Sequence, residues 1–178
     1  MTDVIGARFE PACYTFPDNP EIVFTELTGI GTPSFPNLQI YCKNFSLETY
    51  DTFLILTSTR FTYVDLHLAQ KIKSMGKSFF LIRTKIDLDA FNEKRKKRPD
   101  KEKMLRMIRA DLYKNVKDLG IREDEIFLIS NYETDRWDFK RLVEAILEKL
   151  STGQKEALTL SLKILSHDVE RKNVDVLK

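Results

Sequence analysis

The chain has 178 residues, of which 42% are hydrophobic and 31% are charged. This length accommodates one domain and the beginning of a second, and the composition excludes a disordered or collagen-like chain. The 29 Lys and Arg residues nearly balance the 27 Asp and Glu residues, which leaves a net charge of +2. Partners such as nucleic acid or acidic membranes can therefore be predicted only from local clusters of charge.

The cysteines, together with the absence of an apolar leader and of an apolar run long enough to span a membrane, predict a cytoplasmic protein. Cys13 and Cys42 lie in unlike segments and, with only two histidines, complete no metal set. No apolar leader follows Met1, and no run reaches the roughly 18 apolar residues of a membrane span. We therefore expect neither secretion nor membrane insertion, and no structural zinc.

Short apolar runs predict buried strands over 22–26, 52–57, 78–82 and 126–129, with a weaker edge strand over 8–14. Runs of nearly continuous apolar residues are typical of strands covered on both faces. The segments between these strands have helical periodicity. The fold class predicted from this order is α/β, with a doubly wound and mostly parallel sheet.

Three amphipathic helices are predicted after residues suited to capping, which are Thr62, Asp100 and Asp138. Their apolar faces run from Val64 to Met75, from Met104 to Leu119 and from Leu142 to Leu150. A further amphipathic stretch follows over 158–169. We therefore predict a principal domain over 1–150 and the start of a truncated helical region over 151–178.

The tetrapeptide Thr84-Lys85-Ile86-Asp87 directly follows the third of the four apolar runs, at the strand end where open α/β sheets bind ligands. A carboxylate there can accept two hydrogen bonds from guanine, whereas adenine has no such donor pair on that edge. Lys85 is expected to cover the base plane and Thr84 to brace the loop. The alternative interpretation is a surface turn that happens to contain these residues.

A second loop, Ser130-Asn131, follows the next strand, where it can offer backbone N–H groups to the guanine carbonyl oxygen. Two loops at neighbouring strand ends predict a guanine site formed by Thr84, Lys85, Asp87, Ser130 and Asn131. The predicted strand over 22–26 leads into a third loop, in which Glu26 is the candidate magnesium-side residue and Gly29 the candidate donor to a terminal phosphate. The alternative there is a plain Gly-Pro connection.

The chain resembles the immunity-related GTPases, an interferon-inducible vertebrate family, through five stretches in the family's order and spacing: 29–35, 50–51, 57–61, 83–87 and 127–131. The resemblance covers about residues 9–149. It implies an incomplete Ras-like G domain of the P-loop NTPase fold that binds GTP and GDP with Mg²⁺, hydrolyses GTP and self-associates. It also implies a dynamin-like role in innate immune defence, with peripheral contact with intracellular membranes.

Two departures from the family affect these expectations. Family members have aspartate and proline where this chain has Glu26 and Thr28. The six glycines include no two that are five positions apart, so the motif Gly-x-x-x-x-Gly-Lys-Ser/Thr of a P-loop is absent from the 178 residues. We expect the chain to begin after the family's first strand, P-loop and first helix, and to bind guanine nucleotides only at about millimolar concentration.

Two functions of different class remain open, a GTP-binding GTPase and a pseudo-GTPase that serves only as an interaction module. No catalytic residue is assigned. The basic run Lys94–Arg98, which Lys101, Lys103 and Arg106 extend, is either a solvated loop or a surface for anionic lipid. Nucleic acid is not an expected partner, because no aromatic residues are interleaved with these cations.

Overall fold

The computed structural model describes residues 10–16 and 19–149, which fall into two compact units. One unit is Gly29–Leu142, and the described residues before and after it belong to the other. No helix of the described part is long and apolar enough to cross a bilayer. The amphipathic stretch over 158–169 lies outside the described residues.

An antiparallel strand pair belongs to the unit that contains the N-terminal residues. Strand β1, Ala12–Phe16, pairs with β2, Asn19–Glu26, and the register is regular from Ala12 opposite Glu26 to Thr15 opposite Val23. Ile22 is buried, whereas Val23 and Phe24 are exposed. The edge strand predicted over 8–14 is therefore displaced towards the C-terminus. It pairs antiparallel because the partner strand follows it directly.

The unit Gly29–Leu142 is built on a three-stranded parallel sheet with the order β3-β4-β5. Its strands are Thr52–Thr57, Ser78–Arg83 and Ile126–Leu128. Five α-helices follow in chain order, α1 Leu38–Phe45, α2 Tyr63–Ser74, α3 Ile86–Lys94, α4 Lys101–Val116 and α5 Phe139–Lys149, of which α5 extends past the unit boundary. Short 3₁₀ turns cover 47–49, 117–119 and 123–125. The predicted mostly parallel α/β sheet is confirmed.

The core of this unit lies where the strands are in register. Ile55, Leu81 and Ile126 are paired across the three strands, and all three are buried. They belong to one apolar cluster with residues of α2 and α4, which include Ala69, Ile72, Leu112 and Val116. On neighbouring positions of the strands, Phe80 and Phe127 are also buried and stack edge to face at 5.9 Å. Burial of successive residues explains the nearly continuous apolar runs of β4 and β5. In β3, by contrast, Leu56 is exposed.

Two of the predicted helix caps are confirmed. The Thr62 side chain accepts a hydrogen bond from the Asp65 N–H, and the Asp65 carboxylate accepts one from the Thr62 N–H. The Asp100 carboxylate accepts from the Lys103 N–H at 2.9 Å, which begins α4. Such caps satisfy N–H groups that have no partner within the helix.

Two further helices lie outside the three amphipathic helices predicted. Helix α1 follows the loop of Gly29 and Gly31, and α3 begins at Ile86. Consequently Asp87 lies in the first turn of a helix rather than in a loop, and the basic run begins on the last residue of that helix. The strand predicted over 126–129 ends one residue earlier, at Leu128.

The sequence predicted that the Asp138 carboxylate caps α5, but the structure shows other partners for it. The carboxylate accepts a hydrogen bond from the Leu128 N–H at 2.9 Å and pairs with Arg109 and Arg141. The Asp138 N–H in turn donates to the Leu128 carbonyl. Burial works to raise the pKa of Asp138, but the hydrogen bonds from Arg141 and Leu128 and the charge of Arg109 outweigh it, so the pKa is lowered from its ordinary value of 3.8. Asp138 therefore joins α4, β5 and the start of α5.

We expect Asp138→Ala to lower the free energy of unfolding at neutral pH by about 3 kcal/mol, because two arginines and one backbone N–H lose their acceptor. A carboxyl with a lowered folded pKa contributes stability above its unfolded pKa and loses it as the pH falls through the folded value. The deficit of the variant should therefore shrink under acid. Urea unfolding at neutral and acidic pH measures this, with exposed Asp118→Ala as the control. A deficit that does not depend on pH would contradict the pairing.

Candidate functional site

Hydrogen bonds join the carboxyl ends of all three parallel strands. The Ile129 N–H donates to the Arg83 carbonyl at 2.8 Å, and the Ile86 N–H donates to the Ile129 carbonyl at 3.2 Å. On the other side, the Thr84 N–H and the Thr84 hydroxyl both donate to the Thr57 carbonyl, at 2.8 and 3.3 Å. The two loops predicted to read guanine are thus bonded to each other and to the sheet.

Lys85 has a left-handed backbone conformation. Its φ is 61° and its ψ is 32°, and it directly precedes α3. This conformation costs a residue with a side chain about 1–2 kcal/mol, and it persists only where the surrounding contacts impose it. The Leu88 N–H donates to the Lys85 carbonyl at 3.1 Å. The lysine side chain is exposed at this edge of the sheet.

Asp87 has a buried side-chain oxygen, Oδ1, without a hydrogen-bond partner among the described residues. A buried oxygen without a donor costs about 1–3 kcal/mol, so native structures contain few of them, and each calls for an explanation. The oxygen belongs to the residue that the sequence predicted to read guanine.

Ser130 shapes the second loop from inside. It is fully buried, and its Oγ accepts hydrogen bonds from the Tyr132 and Glu133 N–H groups, at 3.1 and 3.3 Å. Its neighbour Asn131 is exposed. The N–H groups of Ser130 and Asn131 themselves donate no hydrogen bond within the described part of the chain. The structure therefore brings all five residues predicted for the guanine site to one edge of the sheet, namely Thr84, Lys85, Asp87, Ser130 and Asn131.

An ion pair that sequence reasoning missed lies beneath the first loop. Arg83, the last residue of β4, is buried, and its Nη2 lies 2.7 Å from the Asp89 carboxylate on α3. Its Nε and Nη1 are buried without partners among the described residues. The pair ties α3 to the sheet on which the loop begins. A cation at the end of an apolar strand, six residues before an aspartate, was the available signal.

Glu26 and Gly29 belong to different units. The exposed Glu26 carboxylate accepts a hydrogen bond from the Tyr14 hydroxyl at 3.2 Å. Gly29 is exposed, and a side chain at its position would contact nothing within 4 Å. The described residues include no group of three or more His, Cys, Asp or Glu that could hold a metal ion. The roles predicted for Glu26 and Gly29 stay predictions.

The loop after Gly29 is closed by a turn and an aromatic cluster. Gly31, with φ of 85°, donates its N–H to the Phe35 carbonyl at 2.8 Å. Phe35 packs on Tyr41 and Phe45 of α1, with ring centroids 5.9 and 4.8 Å away. Burial, helped by nearby Tyr50, raises the pKa of Tyr41 to about 12. The positive φ explains why a glycine is needed at position 31.

Comparison with known proteins places the chain in a family. All residues from 1 to 178 match the family model of the interferon-inducible GTPases. Two mouse proteins are similar: interferon-gamma-inducible GTPase 10 is 35% identical over 93% of the chain, and interferon-inducible GTPase 1 is 34% identical over 99%. Rat interferon-inducible GTPase 5 is 30% identical over the whole chain. The chain belongs to the interferon-inducible GTPase family.

The chain spans only part of these relatives. The matched segments cover 40% of mouse GTPase 10, 43% of mouse GTPase 1 and 39% of rat GTPase 5. Family membership confirms the resemblance predicted from the five sequence stretches.

Replacing Ser130 should loosen the second loop. Ser130→Ala removes the oxygen that accepts two backbone N–H groups, and we expect the free energy of opening the loop to fall by about 1–3 kcal/mol. Hydrogen exchange at the Tyr132 and Glu133 amides should accelerate by one to two orders of magnitude, on the order of this loss. Thr134→Ala, an exposed change in the same loop, is the control. Unchanged exchange at both amides in Ser130→Ala would show that the hydroxyl does not shape the loop.

Proposed function

We propose that the protein containing this chain binds GTP, and that the chain supplies the surface that recognises the guanine base. The observation that carries the proposal is the buried Oδ1 of Asp87, which has no donor among the described residues. Membership of a family whose curated relatives are named GTPases supports the same function.

Each predicted residue has a chemical part in this proposal. The Asp87 carboxylate accepts from the ring N–H and the exocyclic amine of guanine, which leaves neither oxygen desolvated and unpaired. The unengaged N–H groups of Ser130 and Asn131 are suited to the carbonyl oxygen of the base. The exposed Lys85 stem covers the base plane, and Thr84 holds its loop on the Thr57 carbonyl. Adenine offers the carboxylate no such donor pair, so selectivity follows from the cost of an unpaired buried charge.

The finer parts of the proposal rest on the family. They are hydrolysis of GTP to GDP and phosphate, Mg²⁺ on the side of Glu26, phosphate sensing by Gly29, and self-association of the G domain. We also propose that the protein is cytoplasmic, that it contacts intracellular membranes peripherally, and that it acts in innate immune defence. The described residues include no group of three or more His, Cys, Asp or Glu side chains that could hold a metal ion, so the magnesium proposal rests on the family alone.

A titration separates this proposal from the pseudo-GTPase alternative. The purified chain and the complete protein are titrated with GTP and ATP, with and without Mg²⁺. We expect guanine-selective binding by both, about millimolar for the chain alone. Submicromolar, magnesium-dependent GTP binding would eliminate the pseudo-GTPase, whereas equal responses to GTP and ATP in the complete protein would overturn guanine recognition. Amide shifts in the Thr84–Asp87 and Ser130–Asn131 loops locate weak binding.

Asp87→Asn should change which base is accepted. The amide replaces one acceptor oxygen by a donor, which repels the guanine amine but matches the carbonyl that xanthine has at that position. We expect GTP affinity to fall by at least about tenfold, which corresponds to one lost charge-assisted hydrogen bond. The affinity for xanthosine triphosphate should rise relative to that for GTP. Asp135→Asn, exposed in the neighbouring loop, makes the same charge change as a control. An unaltered GTP-to-xanthosine triphosphate ratio would remove Asp87 from the base site.

A further inference from the structure

The connection between α3 and α4 is organised by a buried carboxylate. Glu93 is only 7% exposed, and its Oε2 accepts from the Lys96 ammonium at 2.5 Å, while its Oε1 accepts from the Asp100 N–H at 3.1 Å. The bonds from Lys96 and from the Asp100 backbone lower the pKa of Glu93. The Glu93 carboxylate therefore holds the basic run at its middle residue, Lys96, and the chain just past the run at Asp100.

A cleft of about 650 Å³ opens beside this connection. Its walls include Glu93, Lys96, Arg98, Asp100, Lys103 and Met107. Both acidic groups in these walls already accept hydrogen bonds within the protein, Glu93 as described and Asp100 from the Lys103 N–H. The side chains of Arg98 and Lys103 form no ion pair with any described residue. The charge that the cleft offers to a ligand is therefore positive.

Large apolar side chains are exposed beside these cations. Met107 in the cleft wall is 63% exposed, and on α3 Phe91 and Leu88 are 59% and 54% exposed. The Arg95 guanidinium lies over the Phe91 ring, 5.7 Å from its centroid. Leu88 and Phe91 are three positions apart, which places them on one side of α3, and Arg95 directly follows the helix. Exposed apolar side chains thus accompany cations at two places, in the cleft wall, where Met107 lies with Arg98 and Lys103, and at the end of α3, where Phe91 lies under Arg95.

We propose that this α3–α4 surface docks the protein on an anionic bilayer, and that the cleft takes the phosphorylated headgroup of a lipid between Arg98 and Lys103. The inference rests on the proposed membrane contact and names the surface that makes it. A membrane fits because protruding apolar side chains can enter the interfacial region while lysine and arginine meet lipid phosphates. An acidic peptide would satisfy the cations, but it would leave Phe91 and Leu88, outside the cleft, without a partner.

The test measures co-sedimentation of the full chain with vesicles. The vesicles are phosphatidylcholine alone, phosphatidylcholine with phosphatidylserine, and phosphatidylcholine with a phosphatidylinositol phosphate. We expect binding to both anionic compositions, stronger with the phosphoinositide and weaker in high salt. The double variant Arg98→Gln with Lys103→Gln should weaken partitioning by roughly 30-fold, since each cation near an anionic surface contributes about 1 kcal/mol. A soluble inositol phosphate should compete with binding.

A matched control removes the same charge elsewhere on α4. Lys114 and Lys117 are exposed, and Lys114 is eleven residues, or about 16 Å, beyond Lys103 along the helix. This separation exceeds the Debye length of about 8 Å, so Lys114→Gln with Lys117→Gln should change partitioning little. Phe91→Ser with Met107→Ser tests the apolar contribution and should weaken partitioning by about tenfold.

The outcomes separate two proposals, that the protein contacts membranes and that the α3–α4 surface makes this contact. Failure of the unaltered chain and of the complete protein to bind anionic vesicles overturns both the membrane contact and this surface. Binding that both glutamine double variants weaken equally overturns the surface alone, because net charge would then be the cause. Full retention of binding in the variant Arg98→Gln with Lys103→Gln also overturns the surface alone. A thermal unfolding curve for each variant shows that the fold is intact, and guanine titration reports separately on base recognition.

Discussion

The joined carboxyl ends of β4 and β5 are the constraint on which the rest of the candidate site depends. Two backbone hydrogen bonds connect the loops, one from Ile129 to the Arg83 carbonyl and one from Ile86 to the Ile129 carbonyl. Neither loop can shift without breaking bonds to the other. The parallel register below, with Leu81 opposite Ile126, sets the height at which both loops leave the sheet. A base held between them meets surfaces whose spacing the sheet has already determined.

The strands of the parallel sheet could be predicted from the sequence because nearly continuous apolar runs of this length are a simple signal. The runs at 52–57 and 78–82 are apolar almost throughout, and both correspond to strands of the parallel sheet. Helix α3 gave no such signal. Its large apolar residues Leu88 and Phe91 are exposed, while the acidic Glu93 is buried, so its pattern is opposite to that of an ordinary amphipathic helix.

Local sequence also misassigned Asp138, because its partners come from distant parts of the chain. An aspartate before an apolar helical stretch ordinarily indicates a cap. Here Arg109 lies 29 residues away on α4, and the Leu128 N–H comes from the end of β5. The proximity of the loops that contain Asp87 and Ser130 was easier to predict, since both loops follow strands whose order alone places their ends together. Arg83 was missed because a cation at a strand end and an aspartate six residues later do not by themselves show that the two side chains are paired.

A comparison of four carboxylates of this unit explains why Asp87 is distinctive. Asp89 is paired with Arg83, Glu93 with Lys96 and the Asp100 N–H, and Asp138 with Arg109 and Arg141. Each of these buried or half-buried groups recovers its desolvation cost from cations or backbone donors within the fold. Asp87 Oδ1 alone among the four groups lacks a donor in the described residues. The fold therefore pairs the carboxylates that hold its connections together and leaves unpaired an oxygen at the edge where a ligand can supply the missing hydrogen.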